Sequence, residues 1–186
     1  MFTDHRKCAR THYRPKVVVE LGTDMGLSAL AMGLALRDLN EGGKLFAVDT
    51  WQGDDYSGRY RADVYRTFLE RRARLGLDAV IVPMRMTFDE ARDKVPDKID
   101  LLHVDRLHTW DAVNHDFGTY RPLVRSGGLV LFHNVNTGYE DMRRFRKEIS
   151  GRYMSNIIPY SNGLGIVRVQ GDRGDLRESD CSVENQ

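Results

Sequence analysis

The 186-residue sequence holds only two cysteines, Cys8 and Cys181, one near each end of the chain. A disulfide framework is therefore excluded as a source of stability, and a reducing compartment, the cytoplasm, is the expected location. No apolar run approaches the ~20 residues of a membrane span. The basic N-terminus MFTDHRKCARTHYRPK also lacks the apolar segment of a secretion signal, so no membrane partner is expected. Neither sign of charge is in excess: 28 Lys and Arg against 27 Asp and Glu leave a formal net charge of +1. The electrostatic footprint of a nucleic-acid binder is missing. With 41% hydrophobic and 30% charged residues, the chain has the balance of one globular domain of ordinary size, too short for a second.

From Pro15 onward, short apolar runs alternate with longer amphipathic ones, the pattern of repeated βα units around a mostly parallel sheet. Strands are expected at Val17 to Leu21, Lys44 to Thr50, Ala79 to Arg85, Ile99 to Asp105 and Gly128 to Asn134. Each is short, apolar and bounded by polar residues or glycine, as strands buried on both faces should be. Between them, apolar positions recur at intervals of three and four. This predicts helices over Ser28 to Leu39, around Val64, Phe68 and Leu75, over Asp89 to Val95, around Val113, Phe117, Tyr120 and Val124, and around Met142, Phe145 and Ile149. The RRFRK run on the last of these reads as a solvated helix face. Asn156 to Tyr160 and Leu164 to Val169 are two strands separated by a tight turn, an antiparallel hairpin. The expected fold is thus α/β, a doubly wound, mostly parallel seven-stranded sheet closed by a C-terminal antiparallel hairpin. Residues 16–169 form the domain, between a flexible segment 1–15 and a flexible polar tail 170–186.

In open α/β sheets ligands bind beyond the carboxyl ends of the strands, where strand order reverses. The polar residues fall there: Glu20-Leu21-Gly22-Thr23-Asp24-Met25-Gly26-Leu27-Ser28 after the first strand, Asp49 at the end of the second, Asp105 after the fourth and His133-Asn134 after the fifth. Acids within apolar strands are costly unless they are used or paired. Gly22 and Gly26 let the backbone turn sharply and approach a ligand. Their G-x-x-x-G spacing is not the G-x-G-x-x-G of a dinucleotide-binding loop, which argues against an NAD-dependent oxidoreductase. Asp49 stands at about the distance downstream where an acid accepts hydrogen bonds from ribose hydroxyls. Together these residues read as a nucleoside site.

VVELGTDMGLSAL and FAVDTW resemble the first two motifs of class I S-adenosylmethionine-dependent methyltransferases, a Rossmann-like family, over roughly Lys16 to Val169. IDLLHVDRLHTWDAVNHDFGTYRPLVRSGGLVLFHNVN resembles a branch of small O-methyltransferases that act on sugars and on antibiotic or polysaccharide precursors. Asp105, His108, His115, Asp116, Phe117, Gly127, Gly128, Phe132 and His133 carry that match. The resemblance implies that Glu20, Gly22, Gly26 and Ser28 line the methionine and ribose end of the cofactor and that Asp49 holds the ribose. Thr87 and Phe88 would lie near the adenine, or serve as a helix N-cap followed by a core aromatic. Trp51 would cover the ribose face or close the local core. Asp105 is the pivotal acid, near the sulfonium or on a metal. His108 and His133 follow strands that should be neighbours, and an imidazole there suits a general base for an acceptor hydroxyl. His103 reads as a core residue.

Two residues depart from the branch: Arg106 replaces a glycine and Asn134 an aspartate. Related metal-dependent enzymes bind Mg²⁺ through an acid and an acid-amide pair. Asp105 and Asn134 retain two oxygens but His133 is a poor Mg²⁺ ligand, so weak or no Mg²⁺ binding is expected. The resemblance implies a small-molecule acceptor. The short segment before the first strand leaves the acceptor site open or completed by a partner subunit, which would make the protein a homo-oligomer. The rival reading is a nucleoside-binding or regulatory module of the same fold that has lost catalysis.

Overall fold

The computed structural model describes residues 13–54, 58–59, 63–105, 109–136, 140–153, 155–160 and 162–170. The segments expected to be flexible lie outside these residues except for 13–15 and 170. At the first of these the chain is already tied down. The Tyr13 hydroxyl donates to the Asp100 carbonyl, and Arg14 pairs with Glu41.

Seven strands form one sheet: β1 (Val17–Leu21), β2 (Lys44–Asp49), β5 (Ile81–Arg85), β6 (Ile99–Val104), β7 (Val124–His133), β8 (Ser155–Ile158) and β9 (Leu164–Arg168). Their order is β5-β2-β1-β6-β7-β9-β8. The first five run parallel, and β9 and β8 add antiparallel to β7. This is the doubly wound sheet closed by a hairpin that the alternation of runs implies.

Because side chains alternate along a strand, the sheet carries two cores. Val18, Leu45 and Ala47 face one side with Ala29, Leu30 and Leu36 of α1 (Leu27–Leu39) and Phe68 of α2 (Val64–Arg74). Val19, Val48, Leu102 and Val130 face the other. There they pack on α3 (Phe88–Arg92), α4 (Trp110–Tyr120) and α5 (Glu140–Arg152) through Phe88, Phe117 and Phe145. The aromatics of this second core meet edge to face, with Phe132 and Phe145 ring centroids 5.0 Å apart, a favoured geometry for such pairs.

Several boundaries move. Val124 belongs to β7, not to the fourth helix: α4 ends at Tyr120, a 3-10 turn over Arg121–Leu123 carries Pro122, and Val124 pairs with Ile99. The Gly127-Gly128 pair, which suggests a strand start, lies inside β7. The ladder shifts register between Ile99 and Leu101, and Gly127 takes φ 77, as an irregularity within a strand requires. Residues 79–80 precede β5, α3 ends three residues before Val95, and β8 stops at Ile158 ahead of Pro159. A two-residue ribbon, β3 (Gly53–Asp54) with β4 (Gly58–Arg59), has no periodic signal in the sequence. Among the described residues no helix is long and apolar enough to cross a membrane.

Candidate active site

Strand order reverses beside β1, since β2 and β6 lie on its two sides, and the loops leaving these strands diverge there. Backbone hydrogen bonds tie the loop starts to the neighbouring strands. Gly22 N–H donates to the Val48 carbonyl and Asp105 N–H to the Leu21 carbonyl, at 3.0 and 2.9 Å. Above them opens a cavity of about 560 Å³, within the usual size of a small-molecule site.

The glycine loop forms one wall, with Gly22, Thr23, Asp24, Met25, Leu27 and Ser28 lining the cavity. Gly22 and Gly26 have φ 92 and 85, and Asp24 also takes a left-handed φ of 48, a conformation Asp tolerates better than most residues. Gly26 caps α1 without a side-chain hydrogen bond. It faces away from the cavity, onto Phe68, whose ring a Cβ at that position would meet at 2.3 Å.

Asp49 and Thr50 line the wall above β2, and Thr87 and Phe88 close the far end. The Asp49 carboxylate is 8% exposed and accepts Trp51 N–H at 2.7 Å and Asp24 N–H at 2.9 Å. Thr87 caps α3 in a capping box with Glu90, and Phe88 is buried, so both are structural while also lining the cavity. Trp51 is not a wall residue. It is 4% exposed, its indole donates to the Asp24 carbonyl at 2.8 Å, and its ring packs on Phe68 and Tyr65. Of its two readings, the structure places it in the local core.

Glu20 does not line the cavity either. It is fully buried, and its Oε1 lies 3.0 Å from Nδ1 of His103 on the adjacent strand. Its Oε2 has no hydrogen-bond partner among the described residues. The second carboxylate–imidazole pair is nearer the site: Asp105 lines the cavity, and His133 Nδ1 lies 2.8 Å from its Oδ1. A carboxylate only accepts, so Nδ1 carries the proton. The hydrogen bond that His133 donates to Asp105 raises the His133 pKa above the ordinary histidine value, against the opposing effect of burial. His108 and Arg106 lie outside the described residues. His115 pairs with Asp89 on the surface at 2.9 Å.

The cavity is unevenly charged. Asp24, Asp49 and Asp105 line it, and Arg71 of α2 is the cation among the described lining residues. Burial raises the Asp24 pKa, as do the neighbouring carboxylates of Asp49 and Asp105, although the Met25 N–H bond opposes them. Thr23, Asp24 and Met25 sit within the glycine loop that the sequence singles out, but their side chains carry no motif signal. Arg71 has only a faint one: it lies one helical turn beyond the core residue Phe68, which brings it to the α1 side.

A doubly wound sheet with this cavity at the reversal point defines a class, and residues 19–135 match the family described as a methyltransferase domain, to which the chain belongs. Uncharacterized protein y4gI of Sinorhizobium fredii is 32% identical over 157 residues, which are 83% of this chain but 17% of that one. The chain therefore spans only a small part of the curated relative it matches. Among solved structures, a methyltransferase from Geobacter sulfurreducens superposes with a TM-score of 0.67 at 16% identity, over 86% of this chain and 73% of that one. The SAH-bound Podospora anserina methyltransferase PaMTH1 gives 0.65 at 17%, over 84% and 73%. At these identities the likeness is one of fold.

The lining suits the S-adenosylmethionine that such a family implies. Thr23 offers a buried hydroxyl with no hydrogen-bond partner among the described residues, Asp49 presents a carboxylate, and the acids around the cavity complement a cation. It does not suit Mg²⁺. Asp105, one of the two candidate oxygen ligands, is engaged by an imidazole. No group of three or more His, Cys, Asp or Glu among the described residues is placed to hold a metal.

Proposed function

We propose that this domain binds S-adenosylmethionine in the cavity and transfers its methyl group to a hydroxyl of a small molecule or a sugar. The observation that carries this reading is the Asp105–His133 pair. One member lines the cavity, and the other is an imidazole whose protonated Nδ1 is fixed by that carboxylate. Nε2, at the opposite side of the ring, is left to accept a proton.

S-adenosylmethionine, when bound, supplies a methyl carbon whose bond to sulfur breaks as a bond to the acceptor oxygen forms, leaving S-adenosylhomocysteine (SAH). The residues provide the rest. Asp49 orients the ribose, while Asp105 holds His133 in one tautomer and stabilises the imidazolium formed when Nε2 takes the hydroxyl proton. No step is routed through a metal. That acceptor class rests on the sequence resemblance to tailoring O-methyltransferases.

The test is single-turnover methyl transfer from labelled S-adenosylmethionine to a panel of sugar and phenolic hydroxyls, with SAH affinity measured in parallel. His133→Gln should lower the transfer rate by roughly 10² to 10⁴, with SAH affinity nearly unchanged. Tight SAH binding without transfer to any acceptor would favour a non-catalytic nucleoside-binding module. Full activity in His133→Gln would remove the general-base assignment.

A further inference from the structure

The face of the sheet that α1 and α2 cover over β1, β2 and β5 continues uncovered over β7, β9 and β8. Val18 stands opposite Leu101, and both pack in the core shared with α1 and α2. From Leu101 the alternation of side chains and the strand register carry the same face to Leu131 and His133 on β7, to Ile166 and Leu164 on β9, and to Asn156 and Ile158 on β8. There α1 no longer follows, since it packs over β2 and β5, and α3, α4 and α5 pack on the opposite side. Leu131, Leu164 and Ile158 belong to neither core.

The row of this face nearest the cavity crosses four adjacent strands as Asp105, His133, Leu164 and Ile158, an acid, a base and two aliphatic side chains. His133 and Leu164 are half-buried, and Ile158 is 42% exposed. With strands about 4.8 Å apart, the apolar ledge reaches roughly 10 Å beyond the imidazole. It carries no charged side chain. In the row below, the Asn156 carboxamide oxygen already accepts Ile157 N–H at 2.8 Å, and Arg168 lies further down, opposite Leu129. An acceptor oxygen at His133 Nε2 has the cofactor cavity on the Asp105 side, between the loops after β1 and β2. The body of the acceptor must therefore extend the other way, over Leu164 and Ile158. Hydroxyls laid on that ledge would lose water without gaining partners.

We propose that Leu164 and Ile158 form the floor of the acceptor site and select a hydroxyl borne on an extended apolar body. The inference rests on the reading of Asp105 and His133 as the transfer site and names the class of molecule that the site serves.

The test uses phenol and 4-alkylphenols of increasing chain length, whose hydroxyls are alike in acidity. Their affinity for the SAH-bound protein is measured by calorimetry, and single-turnover transfer from labelled S-adenosylmethionine is followed in parallel. Affinity should rise by about two- to fourfold per methylene until the ledge is filled, as expected when a CH₂ group leaves water for an apolar surface. Transfer efficiency should rise with it. Ile158→Thr, which keeps the β-branched shape on an exposed strand, should flatten the rise for the longer chains, with SAH affinity and melting temperature unchanged. Leu164→Thr should flatten it from shorter chains onward. Transfer that is independent of chain length would overturn the ledge and leave the methyl-transfer reading standing. So would a rise that both variants keep. Affinity that rises without transfer of label to any probe would overturn the methyl-transfer reading, and with it the assignment of the ledge to the acceptor. A wild-type dimer that Ile158→Thr converts to monomer would give the ledge to a second copy of the chain and also overturn the proposal.

Discussion

The carboxylate of Asp105 has two neighbours with different demands: the cavity it lines and the imidazole it holds. Its hydrogen bond raises the His133 pKa, so a larger share of the ring is protonated near neutrality than in a free histidine. A base must be unprotonated to work. The value of kcat/KM should therefore rise with pH through a pKa above the usual histidine value of about 6.5. In Asp105→Asn this acid limb should move to lower pH and the plateau should fall. A pH–rate profile of both proteins checks this, and an unmoved limb would assign it to another group. The sign for stability is opposite. A raised histidine pKa contributes stability that is full below the unfolded value and is lost as pH rises through the folded one. Asp105 and His133 were both legible as strand-end residues. The partnership of Glu20 with His103 was not, because the sequence gives the parity of each strand but not the register between β1 and β6, where these two residues stand opposite each other.

At the scale of elements, the loop between β1 and α1 joins the cavity to the core. Gly26 combines a φ of 85 with a Cβ position 2.3 Å from the Phe68 ring, so Gly26→Ala meets both backbone strain and a clash with a fully buried aromatic. Substitution should destabilise by about 1–3 kcal/mol, the usual cost of overpacking, and more where the left-handed backbone adds to it. Chemical denaturation would measure it. A variant as stable as the wild type would mean that Phe68 moves aside freely. The five βα units were readable because each apolar run is bracketed by turn residues. The ends of β7 and α4 were not, since Val124 fits the helical spacing of Val113, Phe117 and Tyr120 as well as it fits a strand. Pro122 and the 3-10 turn decide the matter. Trp51 shows a similar limit. Its place beside Asp49 suggests the cavity, but its φ of 53 turns the side chain onto Phe68 and Tyr65.

For the whole molecule, a ligand that binds only the folded state adds stability in proportion to the logarithm of its excess. At a hundred times its dissociation constant, SAH should contribute about 2.7 kcal/mol and raise the melting temperature. Asp49→Ala should weaken that protection by about 1.5–3 kcal/mol of binding energy, the worth of a hydrogen bond to a charged group. The same substitution removes the acceptor of Asp24 N–H and Trp51 N–H. The unliganded melting temperature must therefore be measured alongside, and a shift there with unchanged SAH affinity would assign Asp49 to the loop rather than to the ribose.

The strand order also constrains how the domain can be made. β9 follows β8 in the chain yet lies between β7 and β8 in the sheet. As the polypeptide leaves the ribosome, everything through Ile158 emerges while the outer edge of β7 still lacks its neighbour, and β8 has nothing to join. Only when Leu164–Arg168 appears can that half of the sheet close, from the inside outward. The nascent domain thus carries an open, apolar strand edge until almost its last described residues, the condition in which chains are most exposed to aggregation and to chaperone capture.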